Sequence, residues 1–392
     1  MNGTRTLIAL LATLLVACDR GPADSDEALT RQVSRVVPRV EEAVGLAFKT
    51  PPKVEARSRE QVREFLEKEI REKQPAEQVR GEEAAAKLLG LLPQTMDLQA
   101  FLLELLTEQI AGYYDPSTKV LYVVKGQDRT ITDVTVTHEL VHALQDQYLN
   151  LDSIQRARGN SDRSLSASAV IEGQATYEQL KIMSGGRFNP GALGGWEGMR
   201  DLIRQQSAQM PVFSRAPTYI QETMLFPYLS GAEFARRFEE GPKSRILYEA
   251  MPASTEQVMH REAYESNPPD APTAVTLPAP AGGRHVHDDV MGEFGTRIFL
   301  YEHLRDQAAA VRGAAGWDGD RYVVVATPRG NGIAWLTVWD TALDAGEFAD
   351  MLKRTVNRRY GTEREREVRG GTDIDTSNRL VRVAGGEIAG RP

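Results

Sequence analysis

The stretch T-H-E-L-V-H-A-L-Q-D-Q (137–147) contains two of the six histidines of the chain, four residues apart. On a helix these positions lie one above the other, so His138 and His142 can direct two imidazoles at one tetrahedral zinc ion. Glu139 is offset by about 100° around the helix axis. Its carboxylate can therefore take a proton from zinc-bound water as that water attacks a carbonyl. The alternative is a helix that carries two surface or core histidines.

A site with two histidines needs a third ligand. A third histidine close behind is absent, since residue 145 is Gln and residue 148 is Tyr. The segment A-S-A-V-I-E-G-Q-A-T-Y (167–177) carries Glu172 after an apolar run and before small residues that let two helices approach closely. We predict Glu172 as the third ligand, against the alternative of a charge favoured by the helix dipole. Glu178 is the competing candidate for the third ligand, but it lies among polar residues, and we expect it to be exposed.

H-E-L-V-H followed by an E-G-x-A helix resembles the gluzincin branch of the zincin metallopeptidases. The resemblance covers residues 113–180. It implies a peptidase with one Zn²⁺ ion bound by His138, His142 and Glu172. It also implies that Glu139 is the general base and acid of peptide hydrolysis.

The resemblance further implies that peptide substrates bind along an edge strand, here K-V-L-Y-V-V (119–124). Two features depart from thermolysin-like enzymes. The gap between His142 and Glu172 is longer, and Thr176 stands where those enzymes carry an aspartate that orients a histidine. Asp146, one turn after His142, is our candidate for that orienting role.

Zinc peptidases usually add a proton donor that stabilises the tetrahedral oxyanion, commonly Tyr or His. His260, at the end of a short helix, is our first choice for this catalytic role. The other candidates are Tyr228, Tyr264, His285, and His287 with Asp288. We expect His303 and the tryptophans at 317, 335 and 339 to have structural roles.

The elements that must position these residues are mostly helices. Apolar periodicity predicts helices over 62–70, 84–92 and 98–110, the last capped by Asp97. A β-branched strand follows at 119–124. Two further helices carry the chemistry: one capped by Thr132 or Asp133 that runs to about 150, and one over 164–184.

Five prolines in the seventeen residues 267–283 indicate an extended linker. Beyond it, the pattern predicts a helix over 289–310, a hairpin of strands 321–326 and 333–339, a helix over 344–358 and a strand over 378–384. The predicted fold class is therefore α+β. A mainly helical zincin-like domain with a short sheet is followed by a small C-terminal α+β unit.

The N-terminus has the pattern of a bacterial lipoprotein signal peptide, residues 1–18. Arg5 precedes an apolar segment too short to span a bilayer with ease, and Leu15-Val16-Ala17-Cys18 resembles a lipobox. Lipid on Cys18 would anchor the chain to a membrane of the cell envelope, on the periplasmic side or at the cell surface. The alternative is an ordinary secretory signal with an incidental cysteine.

The remaining boundaries follow from composition and periodicity. We predict a tether (19–30), an N-terminal helical region (31–112), a metallopeptidase domain (113–266), the linker (267–283) and the C-terminal unit (284–392). The net charge of −8 and the lack of a long basic run argue against nucleic acid as a partner.

The function that the sequence favours is zinc-dependent hydrolysis of peptides or proteins through water activated by Glu139. Two alternatives stay open. One is a zinc-stabilised surface lipoprotein that binds a partner without catalysis, and the other is a hydrolase of a non-peptide amide in the cell wall. The sequence does not identify the substrate or distinguish internal from terminal cleavage.

Overall fold

The structure is a computed structural model. It describes residues 25–73, 75–155, 159–190, 195, 198–201, 203, 210–241, 246–249, 251–278, 282–362, 364–368, 371–375 and 380–386. Within these ranges the fold is α+β, as predicted, with helices and three three-stranded sheets. The predicted signal peptide, including Cys18, lies outside the described residues. Among those described, no helix is both long and apolar enough to cross a bilayer.

The elements follow one another along the chain with these bounds. The helices are α1 (Asp26–Val44), α2 (Arg59–Lys73), α3 (Ala76–Leu89), α4 (Leu98–Gln109), α5 (Arg129–Gln145), α6 (Leu151–Gln155), α7 (Ser161–Met183), α8 (Pro211–Ser214), α9 (Thr218–Glu240), α10 (Thr255–Met259), α11 (Arg261–Glu265), α12 (Gly292–Leu304), α13 (Gln307–Ala314) and α14 (Ala342–Tyr360). The strands are β1 (Lys53–Arg57), β2 (Gly112–Asp115), β3 (Val120–Val124), β4 (Arg284–Asp289), β5 (Trp317–Thr327), β6 (Gly330–Trp339), β7 (Arg364–Val368), β8 (Gly371–Asp375) and β9 (Leu380–Ala384).

The first sheet has the order β1-β3-β2, with β3 parallel to β1 and antiparallel to β2. The prediction that K-V-L-Y-V-V (119–124) is an edge strand is therefore wrong. All five residues of β3 are buried, as suits a strand with neighbours on both sides. Sequence reasoning missed β1, whose sequence K-V-E-A-R is short and has three charged residues among its five. The edge strand next to the motif helix is β2.

The motif helix α5 begins earlier and ends sooner than predicted. Its N-cap is Asp128, whose carboxylate accepts a hydrogen bond from the backbone N–H of Ile131, rather than Thr132 or Asp133. Every residue from 134 to 145 is buried, because α1, the first sheet and α7 surround the helix. Such enclosure fixes the direction of the side chains along α5.

Helices α7 and α9 pack with almost no space between their backbones. A Cβ atom added to Gly173 would lie 2.0 Å from the carbonyl carbon of Gly231, and one added to Gly231 would lie 2.1 Å from the carbonyl oxygen of Ala169. Only glycine fits at such a contact. Since Glu172 precedes Gly173, this close approach also fixes the position of Glu172.

One hydrophobic cluster spans the linker predicted at 267–283. It includes Leu102 of α4, Leu225 of α9, Leu300 of α12 and Trp339 of β6. The linker is held in place as well, since the backbone N–H of Thr273 donates to the carbonyl oxygen of Asp318 at 2.6 Å. The domain boundary at this linker stays a prediction, but residues on both sides of the linker share one hydrophobic core.

Two other predictions need correction. The predicted helix over 289–310 is instead the end of β4 followed by α12 and α13, because Arg305 has a left-handed backbone and Asp306 caps a new helix. The tether predicted at 19–30 overlaps α1, which Ser25 caps. The hairpin of β5 and β6 and the helix α14 agree with the sequence pattern.

Candidate metal centre

The three predicted ligands meet in the core between α5 and α7. The Nε2 atoms of His138 and His142 are 3.1 Å apart. One carboxylate oxygen of Glu172, Oε2, lies 3.2 Å from Nε2 of His138 and 3.3 Å from Nε2 of His142. All three residues are buried. Two positions one turn apart on α5 and one position on α7 thus aim three donor atoms at one point.

The donor atoms fit a zinc ion. Ligands about 2.0–2.1 Å from a tetrahedral zinc are separated from one another by about 3.3 Å. The three distances here are 3.1, 3.2 and 3.3 Å. Two imidazoles and one carboxylate are also a common ligand set of catalytic zinc, which leaves a fourth position open. Both the donor distances and the ligand types therefore fit a zinc ion.

Glu172 and His142 shift the pKa values of each other. Burial acts to raise the pKa of Glu172, but the adjacent histidines outweigh it and lower that pKa to about 2. Burial acts to lower the pKa of His142, but the Glu172 carboxylate outweighs it and raises that pKa to about 9. Metal binding at this point would therefore displace a proton from His142.

Two glutamines hold the outer nitrogens of the histidines. Oε1 of Gln179 lies 3.2 Å from Nδ1 of His138, and Oε1 of Gln145 lies 2.8 Å from Nδ1 of His142. An oxygen acceptor at Nδ1 keeps the proton there and leaves Nε2 free to bind a metal. Sequence reasoning missed both residues. Only the helical spacing of Gln145, three residues after His142, offered a signal.

Asp146 does not take the orienting role predicted for it. Its carboxylate accepts hydrogen bonds from the hydroxyl of Tyr114 at 2.8 Å and from Nζ of Lys119 at 2.6 Å. Asp146 therefore ties the end of α5 to β2 and to the turn after it. Asp146 thereby holds Tyr114, the residue whose backbone N–H contacts Glu139.

Glu139 is placed beside the ligands, as the sequence predicts. Its side chain is buried, and Oε2 accepts a hydrogen bond from the backbone N–H of Tyr114 in β2 at 2.7 Å. The other oxygen, Oε1, is buried and has no hydrogen-bond partner within the described part of the chain. Burial raises the pKa of this carboxyl. One oxygen is thus fixed, and the other is available to accept a proton.

The predicted catalytic residue His260 lies outside this group. Its Nε2 is 2.9 Å from Oε1 of Glu293, and 42% of its side chain is exposed. It lies with an extended backbone between α10 and α11, and its imidazole pairs with Glu293 of α12. The prediction of His260 as proton donor therefore has no geometric support.

Tyr228 of α9 is the candidate donor that lies beside the ligands. Its ring stacks on His138 with 6.2 Å between ring centroids. The hydroxyl is buried, and it makes no hydrogen bond of ordinary length and angle among the described residues, although the Glu172 carboxylate is close enough to act on it. Burial raises the pKa of this phenol, and the carboxylates of Glu172 and Glu139 raise it further. The hydroxyl therefore keeps its proton.

The remaining candidates have other surroundings. Tyr264 packs against Phe234, His285 pairs with Asp288, and His287 lies against Tyr322. His303 is structural as expected, with Nε2 2.8 Å from the carbonyl oxygen of Leu89. The tryptophans at 317 and 339 are buried, and those at 317 and 335 donate to the carboxylate of Asp320.

Glu178 is buried rather than exposed, contrary to the prediction. Its carboxylate lies 3.0 Å from Nζ of Lys181. Burial raises its pKa to about 7, although Lys181 opposes that shift. Thr176, which replaces the aspartate of thermolysin-like enzymes, is buried, and its hydroxyl has no partner among the described residues.

Comparison with known proteins adds one similarity. Residues 279–389 match a family model described as "Domain of unknown function (DUF8575)". No curated protein and no solved structure matches the chain. The matched segment contains none of His138, Glu139, His142, Glu172 and Tyr228, so the similarity does not bear on this site.

Proposed function

We propose that the chain is a zinc-dependent peptidase. The observation that carries the proposal is the triangle of His138, His142 and Glu172 donor atoms, whose sides match the ligand spacing of tetrahedral zinc. Glu139, a buried glutamate, lies next to that triangle, and one of its oxygens has no partner among the residues that the structure describes. A purely structural metal site would not require this glutamate.

Zinc bound at the triangle would polarise the scissile carbonyl and lower the pKa of water. Glu139 then acts as the base. Its Oε2 is held by the N–H of Tyr114, so Oε1, which has no partner within the described residues, is the oxygen that accepts a proton from the attacking water and returns it to the leaving amine. Burial raises the pKa of this carboxyl, which makes it a stronger base than an exposed glutamate.

Tyr228 is the residue that we assign to oxyanion stabilisation in place of His260. Its buried hydroxyl is a donor with no partner within the described residues. A donor that is fixed before the reaction stabilises the developing negative charge without reorganisation. We place the peptide along β2, because β2 is an edge strand of its sheet and its Tyr114 N–H contacts Glu139.

We further propose that the enzyme works outside the cytoplasm as a lipoprotein. This part rests on the signal-peptide pattern of residues 1–18 and on Cys18, the one cysteine of the chain. Lipid on Cys18 would tether the catalytic region to a membrane of the cell envelope, where peptides and proteins of the envelope are available as substrates.

Turnover assays with matched variants test the proposed reaction. We expect the wild-type chain to hydrolyse casein and Glu139→Gln to be at least 100-fold slower, since it lacks the base. Cell-wall fragments serve as the second substrate. Hydrolysis of those fragments but not casein would replace the peptidase with an amidase of the cell wall. Bound zinc without turnover of either substrate would favour the binding lipoprotein.

A further inference from the structure

Three carboxylates from distant parts of the chain meet at a second place. Glu256 lies on α10, Asp270 on the proline-rich linker, and Asp340 directly after β6. One oxygen from each lies within 4.8 Å of the other two. This acidic group shares no residue with the His138, His142 and Glu172 triangle.

Backbone contacts hold the acidic group together. The side-chain amide of Gln257, next to Glu256, donates to the carbonyl oxygen of Asp270. The N–H of Asp270 donates to the carbonyl oxygen of Ala263 at 2.9 Å, and the N–H of Asp340 donates to that of Gly316 at 2.8 Å. The carboxylates therefore converge on positions that are fixed by the fold.

Glu256 differs from an ordinary surface glutamate in its burial and its lack of a partner among the described residues. The residue is only 6% exposed, and its carboxylate makes no hydrogen bond or ion pair within the described part of the chain. The charged groups that act most strongly on it are all acidic, namely Glu293, Asp270, Asp340 and Asp162. A buried, unpaired carboxylate among like charges is costly unless a cation or a proton compensates it.

We propose that Glu256, Asp270 and Asp340 form a second cation site, which binds Ca²⁺. Oxygen-only ligands select a hard cation over zinc. Opposite ligands of Ca²⁺ lie up to about 5 Å apart, since each bond is about 2.3–2.6 Å long. The three carboxylate oxygens, which lie within 4.8 Å of one another, could therefore all bind one Ca²⁺ ion. Water completes the coordination on the side of the exposed Asp340.

The environment of Glu256 supports the proposal. Burial, followed by the charges of Glu293 and Asp270, raises the pKa of Glu256 to about 9. Such a group takes up a proton when no cation is present. A divalent cation would compensate negative charge at Glu256 and Asp270. Because Asp270 is in the linker, binding would also fasten residues 267–278 to α10 and to the end of β6.

Calorimetric titration of the full-length chain with CaCl₂ tests the site, after one equivalent of zinc has filled the first site. We expect one Ca²⁺ per chain in wild type. Glu256→Gln keeps the shape and removes the charge, so we expect calcium affinity to fall at least tenfold. Asp350→Asn, at an exposed carboxylate on α14, is the matched control and should bind like wild type.

Limited proteolysis provides a second readout, which does not depend on peptidase activity if a serine protease is added. We expect calcium to slow cleavage within 267–278 in wild type and not in Glu256→Gln. Asp340→Asn serves as a second variant should Glu256→Gln fail to fold. Equal calcium affinity in wild type and both variants, or no binding by wild type, would overturn the proposal. The latter result would mean that Glu256 is simply protonated.

Discussion

The two carboxylate oxygens of Glu139 have different surroundings. One oxygen can therefore fix the side chain while the other is available for the proposed proton transfer. One oxygen is fixed by the N–H of Tyr114, while the other has no partner among the described residues. Tyr228 is also held at one end and unpaired at the other. Its ring stacks on His138, and its hydroxyl makes no hydrogen bond of ordinary geometry within the described part of the chain. Buried polar atoms are normally paired. Two such exceptions beside the three predicted ligands are what the proposed reaction requires, since both groups would find a partner in it.

The choice between Tyr228 and His260 can be tested by kinetics. We expect Tyr228→Phe to lower kcat about 100- to 1,000-fold with little change in KM, because the lost hydroxyl acts on the transition state. His260→Ala should change kcat less than threefold. Steady-state assays on a peptide, with zinc content verified in each variant, provide the measurement. A large loss in His260→Ala together with an active Tyr228→Phe would reverse the assignment.

Gln179 controls the orientation of His138 through Nδ1. Gln179→Leu removes the acceptor at similar volume, so we expect zinc to bind about 10- to 100-fold more weakly. Competition with a chelating dye measures this affinity. Unchanged affinity would show that Gln179 has no part in holding the ligand.

At the scale of elements, the contact between α7 and α9 determines where Glu172 lies. We expect Gly173→Ala to lower the free energy of unfolding by about 3 kcal/mol or more, because the new methyl group overlaps the backbone of Gly231. The variant should also lose zinc, since separation of the helices moves Glu172. Urea unfolding and metal analysis test both statements.

Gly346→Ala is the matched control for that substitution. Gly346 lies within α14, and a Cβ atom there would meet no atom within 4 Å. Alanine favours a helix over glycine by about 1 kcal/mol, so this variant should be slightly more stable than wild type. Equal loss of stability in both variants would contradict the role of the close helix contact.

The sequence predicted the parts of the site that depend on local geometry. His138, Glu139 and His142 share one helix, where spacing alone fixes direction. Glu172 could be predicted from the small residues around it. Gln179 and Tyr228 could not be singled out, because their places depend on how α7 and α9 pack on α5. His260 was chosen for its residue type, and type alone does not give distance.

The fold was predictable where strands and helices have strong periodicity. The hairpin of β5 and β6 and the helix α14 have such patterns. Strand β1 was missed because K-V-E-A-R becomes a strand only through pairing with β3, which lies more than sixty residues further along the chain. That omission also explains why 119–124 was expected at an edge. Long-range pairing of this kind leaves little trace in a local window.

At the scale of the whole molecule, buried carboxyls make stability depend on pH. Burial raises the pKa of Asp162 to about 7, although hydrogen bonds from Thr255 oppose this shift. The folded state therefore keeps a proton that the unfolded state loses above about pH 4. The resulting stabilisation is complete below that pH and is lost as the pH rises through 7.

We expect Asp162→Asn to flatten this dependence. Between pH 5 and pH 7 one such group contributes a slope of up to ~1.4 kcal/mol per pH unit. Urea unfolding of the metal-free chain at several pH values should show wild type losing stability more steeply than the variant. Parallel curves for the two proteins would mean that Asp162 titrates normally.

The proposed peptidase activity depends on one zinc ion held by His138, His142 and Glu172. The most direct measurement is zinc per chain by mass spectrometry in wild type, Glu139→Gln and Glu172→Gln, with casein turnover in the same samples. We predict one zinc in wild type and in Glu139→Gln, less in Glu172→Gln, and turnover in wild type alone. Absence of zinc from wild type, or undiminished turnover in Glu139→Gln, would contradict the account.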